Sequence, residues 1–157
     1  MRNTNKRILR TNTKGKNKVK IVYSYYVLDI VHEGHLAQMR NAKALAGTDG
    51  VSIVGILTDK AVLEKKPKPI MSFNERVGLA RALKFNDVVV PQNTYSPISN
   101  VQALLPDIVC ESTSHKKEDI EKLKKSTTAR VVVFPYYPYQ SSTKIKDKIV
   151  KARGEVK

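Results

Sequence analysis

The stretch "VLDIVHEGHLAQM", residues 27–39, decides the reading of this chain. It joins the end of an apolar run to the start of a helical pattern. Within it, His32 and His35 stand three residues apart with Gly34 between them. Two chemistries use paired histidines. A zinc-protease helix carries His-Glu-x-x-His, with the histidines at i and i+4 on one face; here the spacing is i, i+3. A structural zinc site needs about four ligands, and neither His115 nor Cys110 belongs to a cluster that could supply the rest. No metal ligands are therefore expected. Phosphate fits better. A helix that opens just after a strand presents unpaired backbone N–H groups and a partial positive charge. Gly34 removes a Cβ where a phosphate would approach the backbone, and imidazole N–H groups donate to phosphate oxygens.

Working outward, strand and helix patterns alternate. "VKIVYSYYV" (19–27) is β-branched and aromatic, and "HLAQMRNAKALAG" (35–47) is helical with Gly47 as its stop. "GVSIVGIL" (50–57) is a strand of the buried type, followed by the Pro- and Lys-rich loop "EKKPKPIMS" (64–72). "SFNERVGLARALKF" (72–85) opens with the capping box Ser72-x-x-Glu75 and continues as an amphipathic helix. Then come the strand "DVVVP" (87–91), a weaker helix (98–105), the strand "DIVCE" (107–111), a charged helix (116–125), the strand "RVVVFP" (130–135) and a last helix (141–153). Five β-α repeats with apolar strands predict an α/β Rossmann-like sandwich with a five-stranded parallel sheet, covered on both faces. Ligands in such sheets bind beyond the strand C-termini. That edge is expected to carry residues 29–35, 58–59, 91–96, 111–115 and 136–143.

The chain has 157 residues and a formal charge of +15. Residues 1–18 hold seven Lys/Arg and no acid, leaving +8 for residues 19–157. The first segment lacks periodicity and aromatic residues and reads as a disordered basic tail; residues 19–157 read as a single domain. The charge of the domain suits a small anionic ligand as well as nucleic acid, and nucleic acid is the less favoured partner. No apolar run approaches the ~18–20 residues of a membrane helix, and no secretory h-region follows the basic start. The one cysteine, Cys110, sits among apolar neighbours and reads as a buried thiol. A reducing, cytoplasmic setting fits.

Two motifs together carry a family resemblance. His32-Glu33-Gly34-His35 resembles the His-x-Gly-His signature of the nucleotidyltransferase superfamily, and "QSSTKIKDKI" (140–149) resembles its second signature, Ile-Ser-Ser/Thr-Thr-x-Ile-Arg/Lys. They lie on the first and last helices, and the pairing spans roughly residues 19–152. Size and second signature look most like the cytidylyltransferases of the glycerol-3-phosphate and ethanolamine-phosphate type. The segment 57–92 is similar to the cytidylyltransferase domains joined to phosphoenolpyruvate mutases.

The resemblance implies nucleotidyl transfer, from CTP to a small phosphonate or phosphate with release of pyrophosphate; 2-hydroxyethylphosphonate and 2-aminoethylphosphonate are the leading acceptors. It implies Mg2+ accompanying the triphosphate, and a homodimer. It casts His32, His35, Lys66 and Arg76 as catalytic, and Val27, Leu28, Asp29, Gly34, Lys65, Ser141, Ser142 and Thr143 as nucleotide-binding. Asp59 and Tyr137 are the expected acceptor contacts. Blander readings stand beside these: Ser141 as a helix cap, the lysines 65, 66 and 68 as a solvated run, Arg76 as a surface residue, and the tyrosines 136, 137 and 139 as packing rather than stacking on a base. Three departures mark a divergent branch. Tyr26 stands where the family has Gly, Tyr136 where the glycerol-type enzymes have Arg, and residues 111–115 replace Gly-Asp-Asp-Trp. The alternatives are glycerol-3-phosphate or ethanolamine phosphate as acceptor, an adenylyltransferase of the nicotinamide or pantetheine type, an inactive sensor on the same fold, and a basic nucleic-acid-binding module.

Overall fold

A computed structural model of the chain describes residues 18–154. The elements run β1 (Ile21–Tyr26), α1 (Glu33–Ala46), β2 (Val51–Leu57), α2 (Asp59–Leu63), α3 (Phe73–Ala82), β3 (Val88–Gln92), α4 (Ile98–Leu104), β4 (Ile108–Ser112), α5 (Lys117–Ser126), β5 (Arg130–Phe134) and α6 (Ser142–Gly154). All five strands pair in parallel in the order β3-β2-β1-β4-β5, as the alternation of patterns predicts. The order reverses between β1 and β4, and there a crevice opens beyond the strand ends. Most of the expected basic tail lies outside the described residues; its last residue, Lys18, pairs with Asp107.

Alternation along β1 builds the two core layers. Ile21 and Tyr23 pack with Val101 of α4 and Leu123 of α5, while Val22 packs with Ala42 and Ala46 of α1. From β2, Ile53 joins the first layer, whereas Val54 and Ile56 meet Met39 of α1 and Ala80 of α3. Helices α1 and α3 therefore cover one face, and α4 and α5 the other. Burial is deepest on the three inner strands and complete along β4. The edge strands β3 and β5 keep exposed positions, Val88 and Val133 among them, because each has a neighbour on one side alone. Cys110 is buried, and its thiol is pushed up to about 12 by burial and then by the Glu111 charge.

Local signals act where expected. Gly47 ends α1 at φ +78° and donates its N–H to the Lys43 carbonyl. The Ser72–Glu75 capping box opens α3, which stops at Ala82, earlier than the pattern suggests, as the Asn86 amide takes the Ala80 carbonyl (2.8 Å). Nothing in the periodicity marks α2, a five-residue helix capped by the Thr58 hydroxyl; one turn is too short to show a period.

One glycine fixes how β1 meets β2. Tyr23 is fully buried, donates to Gln92 (2.6 Å) and accepts from the Asn100 amide (2.9 Å). A Cβ on Gly55 would lie 2.0 Å from its hydroxyl oxygen. Gly55→Ala is expected to cost about 1–3 kcal/mol by overpacking, read as a lower urea midpoint at unchanged m-value. A loss below about 0.5 kcal/mol would show that the Tyr23 ring can move aside.

Candidate active site

The histidine turn is held by its own side chains. His32 is the N-cap of α1, and its Nδ1 accepts from the Gly34 amide (3.1 Å). His35 Nδ1 accepts from the His32 amide (3.4 Å). The rings lie 3.9 Å apart between centroids, and Tyr26 meets His35 edge-on at 5.9 Å. Burial pushes His35 down to about 3, helped by His32 and by the charge of Lys66; burial also lowers His32. Both rings are therefore neutral near pH 7. In a neutral imidazole whose Nδ1 accepts, the proton sits on Nε2. Each ring of the pair thus keeps one N–H donor, on Nε2.

Gly34 is needed for a reason other than the expected approach of phosphate. A Cβ there would lie 2.8 Å from His32 Cε1 and 3.1 Å from Tyr137 Cβ, so the missing Cβ makes room for the capping ring and for the chain entering α6. The absent family glycine at Tyr26 has a simple resolution. Tyr26 is ordinary strand, and the left-handed residue is Leu28, at φ +58°. That conformation costs roughly 1–2 kcal/mol for a side-chain-bearing residue. Full burial of Leu28 among Met39, Val54, Ile56 and Ala80 offsets it. The Leu28 side chain is consequently not available to a nucleotide, and the Val27 carbonyl is already taken.

It is taken by Arg76, expected to be catalytic. The Arg76 side chain has zero exposure. Its Nη1 donates to the carbonyls of Val27 (2.7 Å) and Leu57 (2.7 Å), its Nε to Met71 (3.2 Å), and its Nη2 to Asp59 (2.5 Å). Arg76 therefore ties the ends of β1 and β2 to the entrance of α3, and touches no solvent-facing ligand. Asp59, an expected acceptor contact, spends one carboxylate oxygen on it. Both loop lysines stand over the Tyr95 ring, Lys65 at 5.0 Å and Lys66 at 5.9 Å; Lys65 also pairs with Asp119 (3.1 Å), and the charge of Lys66 helps to lower His35.

The two motifs meet. Ser142 donates to the Ile30 carbonyl (3.1 Å), and Lys146 of α6 pairs with Asp29. Asp29 is almost fully buried; burial alone would raise its carboxyl, but Lys146 and the amides of Met71 and Ile70 hold it below the usual range. Ser141 caps α6 through Lys144 N (3.2 Å), and Thr143 is exposed at its first turn. Tyr137 packs beside Gly34 and edge-on to Tyr139. Lys146 was not singled out in the sequence, although it is the last letter of the second signature. Also unforeseen is a hydrogen-bonded cluster of Tyr25, Glu111 and His115 at the same edge. Among the described residues no group of three or more His, Cys, Asp or Glu side chains could hold a metal ion.

The profile described as Cytidylyltransferase-like matches residues 27–148, spanning both motifs. The chain belongs to the cytidylyltransferase-like family. A FAD synthase of Korarchaeum cryptofilum is 32% identical over 128 residues, covering 78% of this chain and 86% of that protein. The bifunctional protein HldE of Helicobacter pylori is 30% identical over 124 residues, 78% of this chain and 26% of HldE, so the chain spans about a quarter of that relative. The lipopolysaccharide core biosynthesis protein from Thermoplasma volcanium has the same fold, with a TM-score of 0.66 at 24% identity, covering 75% of this chain and 98% of that one.

Two outcomes follow from this cytidylyltransferase-like site. Arg76→Met leaves the three carbonyls without their donor, at about 1–3 kcal/mol for each that stays dry; a large fall in melting temperature is expected, and Arg76→Lys, which lacks the planar fork, should not restore it. His35 titrates near 6.5 when unfolded and about 3 when folded, so the unfolded chain takes up the proton first. Its contribution to stability is complete above about pH 6.5 and declines as pH falls toward 3. Urea titrations from pH 7 to 5 should show a steeper loss for the native chain than for His35→Gln; equal slopes would mean that His35 is not buried neutral.

Proposed function

We propose that this chain transfers CMP from CTP to a small phosphonate or phosphate and releases pyrophosphate. The observation that carries the reading is the junction of the two motifs: a neutral histidine pair at the start of α1, and α6 opening beside it through the Ser142–Ile30 bond. In this reading Ser141, Thr143 and the first amides of α6 hold the β- and γ-phosphates, and the Nε2–H groups of His32 and His35 face the α-phosphate.

An acceptor phosph(on)ate oxygen attacks the α-phosphorus, the bond to the bridging oxygen breaks, and pyrophosphate leaves from the opposite side. The nucleophile is already anionic, so the reaction needs alignment and charge stabilisation rather than a base. Neutral histidines suit this role. Their N–H groups donate to oxygens whose charge grows in the transition state, and they carry no charge that must be desolvated first. Lys66, whose charge already reaches His35, adds a cation at that point. Mg2+ enters as part of the triphosphate. Similarity of residues 57–92 to the phosphonate-linked branch supports a phosphonate acceptor. A second reading, transfer of AMP from ATP, is supported by the 32% identity to a FAD synthase.

The test is pyrophosphate release with CTP or ATP, Mg2+, and a panel of phosphonates beside glycerol-3-phosphate and ethanolamine phosphate. CTP- and acceptor-dependent release is expected, falling on the order of 10²–10³-fold in His35→Ala. Better turnover with glycerol-3-phosphate than with any phosphonate would remove the phosphonate assignment. Preference for ATP would move the nucleotide. No release with any pair would overturn the transferase reading.

A further inference from the structure

The positive charge of the domain is unevenly placed. Residues 19–157 carry a net +8. The loop at 65–72 holds Lys65, Lys66 and Lys68 and no acid, a charge of +3. Helix α6 holds five cations against Asp147 alone, a charge of +4. These two segments therefore account for +7 of the +8, and the rest of the domain is close to neutral. They are distant in sequence and adjacent in the fold. The Asp29 carboxylate accepts from the Met71 amide (2.8 Å) near the end of the loop and pairs with Lys146 of α6.

The same region carries apolar side chains that the fold does not cover. Among the described residues, three large apolar side chains are more than 70% exposed: Ile70 in the loop (71%), Tyr139 at the entrance of α6 (79%) and Val150 within it (71%). Ile145, Ile149 and Ala152 recur at i, i+4 and i+7 along α6. Ile145 is half-buried, whereas Ile149 and Ala152 are exposed, so the stripe leaves the body of the protein after the first turn. Single apolar side chains on a surface are ordinary, but a group of them set among like charges marks an interaction site. A face for single-stranded nucleic acid combines cations with aromatic rings for stacking and gains little from aliphatic tips. Lysines with isoleucine and valine between them suit an anionic bilayer, where cations meet the headgroups and aliphatic side chains enter the acyl boundary. No described helix is long and apolar enough to cross a membrane, so the contact would be peripheral.

We propose that the 65–72 loop and α6 together form a docking face for a lipid surface that carries anionic headgroups. Lys68, Lys148 and Lys151 draw the face to the headgroups, and Ile70, Ile149 and Val150 anchor it. Asp29 fastens both segments beside the histidine turn, so the docked chain holds the mouth of the crevice close to the lipid. Docking depends neither on the nucleotide nor on the acceptor. Residues 1–18 add seven cations and no acid, and that segment is attracted to anionic vesicles as well. Charge attraction of that segment does not insert aliphatic side chains at positions 70 and 150, and this separates the two effects.

The chain has no tryptophan, so a single indole in the full chain is a local reporter. Ile70→Trp and Val150→Trp place it on the face. Val88→Trp places it on the exposed start of β3, at the end of the strands away from the crevice. Each is mixed with vesicles of phosphatidylglycerol and phosphatidylcholine, and with vesicles of phosphatidylcholine alone. Emission from positions 70 and 150 should move to the blue on the anionic vesicles only, and emission from position 88 should not move. The double variant Ile149→Ser, Val150→Ser, of unchanged charge, should bind anionic vesicles in flotation about tenfold more weakly than the native chain. Lys148→Ala should weaken binding about fivefold. Flotation with no blue shift at 70 or 150 means attraction of the N-terminal segment alone and overturns the proposal. So does a double variant that floats as well as the native chain. A shift that grows with protein concentration before vesicles are added puts a second copy on this face, and one produced by a single-stranded oligonucleotide but by no vesicle puts nucleic acid there; either overturns it.

Discussion

The buried guanidinium of Arg76 is the constraint on which this edge of the molecule depends. A parallel sheet sends all of its strands out at one edge, and the last carbonyls there have no strand partner. Arg76 collects those of Val27 and Leu57, adds that of Met71, and is neutralised by Asp59. Five donors in a rigid fork can satisfy three carbonyls and a carboxylate at once; an ammonium could not match the geometry. Once β1 and β2 end in fixed positions, the left-handed turn at Leu28 delivers the chain to Asp29 and then to the histidine cap.

Asp29 carries that order onward. Its carboxylate joins Met71 to Lys146, so one buried charge links the entrance of α3 to α6, 117 residues away in sequence from it. Without that link α6, which has no buried side chain among its described residues, would have little to hold it against the histidine turn. Polar contacts here do the work that apolar packing does for α1 and α3. A site assembled this way keeps its donors aligned without filling the crevice that a ligand needs.

Protonation divides the labour across β1. On one face, two histidines accept backbone hydrogens at Nδ1 and offer N–H groups outward, complementary to phosphate. On the other, the Glu111 carboxylate stands behind His115 Nδ1 and also takes the Tyr25 hydroxyl. The charge of Lys66 helps to keep His35 neutral.

Much of this was legible in the chain. Strand and helix periods, the Gly47 stop and the Ser72–Glu75 box define the α/β alternation, because they depend on neighbours within a few residues. The two family signatures could be read because each occupies one local turn. Other features depended on contacts between distant segments. Arg76 reads in sequence as a site residue or a surface one, and only the packing of β1, β2 and the α3 entrance shows it buried. Gly34 reads as room for phosphate, yet the room is taken up by His32 and Tyr137. Leu28 shows no sign of a left-handed backbone, since burial at a distance, not local preference, sustains it. Tyr25, Glu111 and His115 come from β1 and from β4 with the loop after it, and only strand order makes them neighbours. Sequence determined what is set by short-range propensity. Tertiary structure decided which charges are buried, and therefore which side chains hold the fold and which remain free to meet a ligand.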